Sequence, residues 1–280
     1  MDLEYAWFKK KSLEIAGLDF DSYKPEQMKR LLDKIMARAG VRNYVEFIKF
    51  IQGHPARIQE FRDSVTINVS HLFRDYRIWM ELNQALADMV ERKSTQSPRA
   101  TLRAWSAGCS IGAEPYTLAI LMRELIVRAA VRKFDSTILC TDLDHAMLRR
   151  AREGIFMEKE TAEVPAPLLK KYFRRVERPA SDWAQRSTES VFYEILPELK
   201  DSMVFIFHNL LQERWEKDFD LITCRNVLIY FTNDIKEKLF RKFHCALVDG
   251  GLLFIGGAEI MFRPDEYGFK TVGSGIYLKS

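Results

Sequence analysis

The chain has 280 residues, enough for one large domain or two modest ones, and its 47% hydrophobic and 29% charged residues describe an ordinary globular protein. Its 43 basic and 39 acidic residues leave a net charge of +4, too small an excess to imply a nucleic-acid partner. The N-terminal MDLEYAWFKKK lacks the apolar core of a signal peptide, and no apolar run approaches the roughly 18 residues of a membrane span. Four cysteines, Cys109, Cys140, Cys224 and Cys245, lie far apart with no histidine spaced to join them. They predict free thiols in a cytoplasmic protein, packing roles and no metal.

In chain order, the first part reads as successive helices. PEQMKRLLDKIMARA, Pro25–Ala39, has a proline suited to the first helical position and Glu26 for the positive end of the dipole. Met28, Leu31, Leu32, Ile35, Met36 and Ala39 form an apolar stripe, and Gly40 supplies a stop. Lys29, Arg30, Lys34 and Arg38 surround that stripe. Further helices are predicted at Asn43–Ile51 and Ala56–Val65, and the polar, proline-containing Glu91–Arg99 is predicted to be a surface connection. The pattern then changes. TLRAW, STILCT, MVFIF, FDLITC and GLLFIG read as strands separated by helical stretches, which predicts a parallel, doubly wound α/β sheet. Between Phe156 and Ser202 the rhythm breaks, and KYFRRVE and SVFYEIL predict a small inserted antiparallel β-subdomain at about residues 157–202. The terminal FKTVGSGIYLKS predicts a hairpin about Ser274 and Gly275. The expected division is an all-α domain over residues 1–70 and an α/β domain over residues 71–280 that begins with a linker helix.

The chemistry concentrates where ligands bind in open α/β sheets, beyond the C-terminal strand ends. WSAGCSIGAEPYTLA, Trp105–Ala119, is a strand, a small-residue turn and a helix, yet it fits neither the dinucleotide fingerprint nor a phosphate loop. Ala107, Gly108, Ser110 and Gly112 allow close backbone approach, and Glu114 at the helix start would repel a phosphate. Asp142 directly follows STILCT, placed to accept hydrogen bonds from ribose hydroxyls. A ribose-bearing cofactor without phosphates is therefore expected, and S-adenosyl-L-methionine, with its ammonium and sulfonium, suits acidic neighbours. Taken alone, Glu114 reads more readily as a dipole partner than as a ligand, Arg74 as a surface or interdomain ion pair and Tyr230 as core.

Four segments together resemble the CheR-type chemotaxis methyltransferases. The turn is similar to their W-S-A-x-x-S-x-G-E-E-P-Y-S, and TINVSHLFRD, Thr66–Asp75, to T-x-N-x-T-x-F-F-R-E. FDLITCRNVLIYF resembles F-D-x-I-x-C-R-N-V-x-I-Y-F, and GLLFIGGAE resembles G-L-L-F-x-G-H-S-E. The resemblance implies a Rossmann-like S-adenosylmethionine-dependent fold with an antiparallel C-terminal strand, and an enzyme that methylates glutamate side chains of chemoreceptors. By motif match it implies cofactor contacts from Asn68, Ser70, Arg74, Ala107, Gly108, Glu114, Asp142, Asn209, Leu210, Arg225 and Asn226, with Arg74 and Tyr230 beside the transferring methyl. Lys29, Arg30, Lys34 and Arg38 would meet the cytoplasmic helical bundle of the receptor. Ser70, Leu72, Ala113, Gly257 and Ala258 depart from the family pattern, where Thr, Phe, Glu, His and Ser are usual.

A glutamate acceptor has a pKa near 4.3 and is ionised at neutral pH, so transfer needs no general base. A monomer with no nucleic-acid partner and no membrane insertion is expected. The inserted sheet lacks a Gly-rich loop, which argues against a requirement for a receptor peptide tether. A methyltransferase with another acceptor, or a cofactor-binding sensor of the same fold, are the competing readings. Intact Arg74 and Tyr230 argue against the sensor, and the absence of an N-P-P-Y-type motif argues against methylation of bases.

Overall fold

The computed structural model describes residues 3–65, 70–96, 100–128, 134–177, 179–185 and 187–280. Two compact units emerge, Met1–Ile67 with Val227–Leu239, and Asn68–Asn226 with Phe240–Ser280.

The first unit is built from α1 (Leu3–Ala16), α2 (Pro25–Ala39), α3 (Tyr44–Ile51) and α4 (Pro55–Val65). Local chemistry sets these boundaries. Pro25 opens α2, and Gly40 closes it in the left-handed conformation at φ 71°, its N–H reaching the carbonyls of Ala37 and Met36. Asn43 caps α3 by accepting from the Glu46 amide at 2.8 Å. The apolar faces meet in an aromatic core, where Phe8 and Phe20 rings lie 5.5 Å apart and Phe47 and Phe61 rings 5.0 Å apart. Within this unit the segment from Val227 joins the helices through backbone bonds, Lys24 N–H to the Tyr230 carbonyl at 2.9 Å and Thr232 N–H to the Ser22 carbonyl at 3.1 Å.

In the second unit, α5 (Tyr76–Gln96) is followed by β1 (Ala100–Ala107), α6 (Ala113–Arg128), β2 (Phe134–Asp142) and α7 (His145–Glu153). The predicted surface connection from Glu91 is corrected here, because α5 continues through Gln96. Glu91, Arg92 and Lys93 are good helix formers, so polarity alone does not stop the helix, and residues 97–99 of that segment lie outside the described residues. Next come β3 (Ile155–Met157), α8 (Ala166–Tyr172), β4 (Phe173–Val176), α9 (Asp182–Gln185), β5 (Phe192–Ile195), α10 (Pro197–Lys200) and β6 (Met203–Phe207). The chain ends with β7 (Phe219–Thr223), α11 (Asn233–Ala246), β8 (Leu247–Phe254), β9 (Phe269–Gly273) and β10 (Ile276–Lys279).

The large sheet has the order β6-β2-β1-β7-β8-β10-β9. The first five of these strands are parallel, and β10 runs antiparallel to both β8 and β9. All five residues of β7 are buried, as a strand covered on both faces requires. The chain winds outward from β1 to β2 and β6, then resumes on the other side with β7 and β8. The switch point therefore lies between the C-terminal ends of β1 and β7. The inserted sheet has the order β3-β5-β4, all antiparallel. Of its strands β3 was not foreseen. Three residues directly after the Gly154 helix stop are too short for any periodicity to mark.

Candidate functional site

At the switch point the turn after β1 engages its own amides. Gly108 and Cys109 N–H groups both donate to the Thr141 carbonyl, at 2.8 and 2.9 Å, and Gly112 N–H donates to the Cys109 carbonyl at 2.9 Å. Ser110, at φ 47°, donates its N–H to Asp142 Oδ2 at 2.7 Å. A phosphate needs unengaged amides pointing outward. In this turn the Gly108, Cys109 and Ser110 amides are fastened to β2 and the Gly112 amide to the turn itself.

Glu114 stands at the start of α6 and joins three elements. Register places Ser106 of β1 opposite Thr223 of β7. Both hydroxyls donate to Glu114 Oε1, that of Ser106 at 2.7 Å. The Arg225 backbone adds a further hydrogen bond. Burial raises the Glu114 carboxyl above its ordinary range, while the Arg225 charge and the hydroxyls act in the opposite direction.

Asp142 ends β2 and is buried. Its Oδ2 accepts from Ser110 and its Oδ1 from the Asp144 amide at 2.9 Å, and the Leu143 backbone adds a further bond, so its orientation is fixed with part of its accepting capacity left. Burial pushes its pKa up to about 6 against the opposing effect of those amides. Asp144 in turn caps α7, accepting from the Ala146 and Met147 amides at 2.8 and 3.0 Å.

The stretch 70–75 reaches the same end. Leu72 N–H donates to the Glu160 carbonyl at 2.9 Å, and Phe73 N–H to Thr117 Oγ1 at 2.9 Å. Phe73 and Asp75 adopt φ values of 56° and 63°, so half-buried Arg74 sits between two left-handed residues. Arg225 holds this stretch. Its Nη2 donates to the Arg74 carbonyl at 2.9 Å and to Asp75 Oδ2 at 2.7 Å. The Arg225 side chain is only 4% exposed, its guanidinium over the rings of Trp79 and Phe254. Asn226 follows at φ 58°. Among the described residues, four of the six non-glycine residues with positive φ lie in the three segments that meet here, where such strain is most often retained for function.

The other predicted residues lie as follows. Ser70 is half-buried at the start of the 70–75 stretch, and Asn68 lies outside the described residues. Asn209 follows β6 and uses its side chain locally, Oδ1 accepting from the Leu211 amide at 2.9 Å. Leu210 is buried, and its carbonyl accepts from Trp215 Nε1 at 3.1 Å and Lys242 Nζ at 3.2 Å. Tyr230 belongs to the first unit, where it packs against the helical core. On α2, Arg30, Lys34 and Arg38 are exposed, whereas Lys29 is half-buried with its ammonium 4.8 Å from the Tyr5 ring. Cys109, Cys140 and Cys224 are buried and Cys245 is exposed. Sequence reading did not single out Ser106, Thr223, Asp144, Thr117 or Asp75. Asp144 had a signal, an aspartate directly before an amphipathic helix. The hydroxyls had none, because their pairing depends on strand register.

A doubly wound sheet with a phosphate-excluding turn at its switch point and a buried carboxylate after its second strand defines a nucleoside-binding, methyltransferase-type domain. The comparisons make this particular. The family described as CheR methyltransferase, SAM binding domain matches residues 68–277, and CheR methyltransferase, all-alpha domain matches residues 3–66. The chain belongs to the CheR methyltransferase family. It is 36% identical to the chemotaxis protein methyltransferase of Listeria innocua, over all of this chain and 98% of that one. Identity to the chemotaxis protein methyltransferase of Borreliella burgdorferi is 31%, over 87% of this chain and 83% of that one. It is 28% identical to chemotaxis protein methyltransferase 2 of Pseudomonas aeruginosa, over 94% and 88%. The protein is accordingly an S-adenosyl-L-methionine-dependent methyltransferase of chemotaxis. Among the described residues no helix is long and apolar enough to cross a membrane.

Proposed function

We propose that this enzyme methylates glutamate side-chain carboxylates in the cytoplasmic helical bundle of chemoreceptors. The observation that carries the reading is Arg74, a half-buried cation held between two left-handed residues, at the end of the sheet that carries Glu114 and Asp142. A guanidinium in that position suits an incoming carboxylate, in charge and in its planar donor geometry.

The residues present fit the cofactor. Asp142 retains acceptor capacity for ribose hydroxyls, and Glu114 supplies negative charge where an ammonium gains and a phosphate loses. Asn68, Ser70, Arg74, Ala107, Gly108, Asn209, Leu210, Arg225 and Asn226 are proposed as its further contacts. When bound, S-adenosyl-L-methionine supplies a methyl group activated by its sulfonium. An ionised glutamate needs no base, so the work of this chain's side chains is to orient and to exclude water. Arg74 orients the acceptor carboxylate, and Tyr230 positions the reacting groups. Arg30, Lys34 and Arg38 on α2, with Lys29, form the surface that meets the receptor's acidic bundle.

The test is incubation with labelled cofactor and receptor-containing membranes. Label on the receptor that mild base releases as methanol is the expected outcome. Base-stable label, or label on nucleic acid, would assign a different acceptor.

A further inference from the structure

We infer that the Asp75–Arg225 ion pair is a positioning device that sets the direction of the Arg74 side chain, an inference that rests on the reading of Arg74 as the residue that orients the acceptor. The geometry points to it in three ways. One guanidinium nitrogen, Arg225 Nη2, bonds both the Arg74 carbonyl at 2.9 Å and the Asp75 carboxylate at 2.7 Å, grasping the peptide unit that follows Arg74. On the other side of Arg74, the Phe73 amide is fixed by Thr117 Oγ1 at 2.9 Å, and that hydroxyl is itself fixed by donating to the Ala113 carbonyl at 2.8 Å. Arg74 is thus held at both flanking residues, and each of those flanks is left-handed. A phenylalanine has no intrinsic reason to adopt φ 56°, so the conformation persists because the surroundings impose it.

Arg225 is itself rigid. It lies against both Trp79 and Phe254, 5.1 and 5.0 Å from their ring centroids, and a Cβ on Gly256 would stand 2.9 Å from its Nε. A buried guanidinium so confined transmits position well. Asp75 is different, its side chain 48% exposed, so it contributes little burial to the fold. What it adds is a charged acceptor that keeps Arg225 turned towards the Arg74 carbonyl. Without it the guanidinium nitrogen retains only one neutral partner here, and the 74–75 peptide gains freedom.

The experiment is a double-mutant cycle in the full-length protein with Arg74→Ala and Asp75→Ala, measuring kcat with receptor membranes and, separately, calorimetric affinity for S-adenosylhomocysteine. Asp75→Ala is expected to lower kcat about tenfold in the native background, with product affinity changed less than about threefold. In the Arg74→Ala background the same change should cost nothing further, because a residue that acts through another is silent once that other is gone. Asp75→Glu should restore most of the rate and Asp75→Asn only part of it. Equal losses in both backgrounds, or an unchanged rate in Asp75→Ala, would overturn the positioning role while leaving the role of Arg74 intact. An unchanged rate in Arg74→Ala alone would overturn the reading of Arg74, and this inference with it.

Discussion

Asp142, the proposed ribose acceptor, has a carboxyl whose protonation is governed by burial. Its carboxyl is raised from 3.8 to about 6 because water is excluded, in spite of amide donors on both oxygens. In the free protein the folded state therefore keeps a proton that the unfolded chain has lost, and this group's contribution to stability falls as pH rises from 3.8 to about 6. Hydroxyl donors favour the ionised form. Affinity for S-adenosylhomocysteine is thus expected to rise as pH increases to about 6 and then level, with proton release on binding in the same window. Calorimetry in two buffers of different ionisation enthalpy measures both, and a flat affinity across the window would remove Asp142 from the ribose. Asp142→Ala should cost about 1–3 kcal/mol of binding. Its place at the end of the second strand was legible in the sequence, whereas its bonds to Ser110 and Asp144 were not. Arg225 was less legible. The motif implies a cofactor contact, and the structure adds a second task, the bonds of Nη2 to the Arg74 carbonyl and to Asp75, a residue 150 positions away that no local pattern announces.

At the scale of elements, legibility followed the length and regularity of the signal. Five apolar runs and the stripe of α2 carry strong signals, and each formed its element, although β8 begins four residues before GLLFIG. The three-residue β3 exists through its partner β5, and α5 runs on through polar residues that are good helix formers, so polarity was the wrong signal for its end. The C-terminal hairpin was legible from its Ser-Gly turn, but its tertiary task was not. Ile255 N–H donates to the Gly275 carbonyl at 2.9 Å, and Glu81 of α5 accepts from the Ser274 amide at 2.8 Å. Gly275 lies at φ 67°, and a Cβ there would stand 2.2 Å from the Gly256 carbonyl oxygen, a rigid backbone atom. Gly275→Ala is expected to destabilise the protein by about 2–4 kcal/mol, from backbone strain and overpacking together. Gly40→Ala offers the contrast, since its φ of 71° is equally left-handed but nothing lies within 4 Å of a Cβ there. It should cost about 1 kcal/mol. Thermal denaturation of both variants checks the order, and equal losses would mean that the approach to Gly256 relaxes freely.

For the whole molecule, the decisive distinction is between charge that serves folding and charge that serves encounter. The net charge of +4 is small, so any attraction for an acidic partner must be local. On α2 the apolar residues Met28, Leu32, Ile35 and Met36 are buried in the helical core, which fixes the helix and leaves Arg30, Lys34 and Arg38 exposed. Spaced four apart, these three follow one flank of the helix. Exposed charges contribute little to folding stability, so reversing them tests association with little interference from unfolding. Arg30→Glu together with Lys34→Glu is expected to raise KM for receptor about tenfold at low salt and progressively less as salt increases, because screening acts over about 8 Å at physiological ionic strength. Affinity for S-adenosylhomocysteine and Tm should stay near those of the native protein. Lys29 serves as the internal comparison. Its ammonium lies over Tyr5 at 4.8 Å, so Lys29→Ala should lower Tm slightly while changing receptor KM less than the exposed pair does. Unaltered receptor kinetics of the double reversal at low salt, where attraction is greatest, would reduce this flank to a solvated surface and move docking to another face.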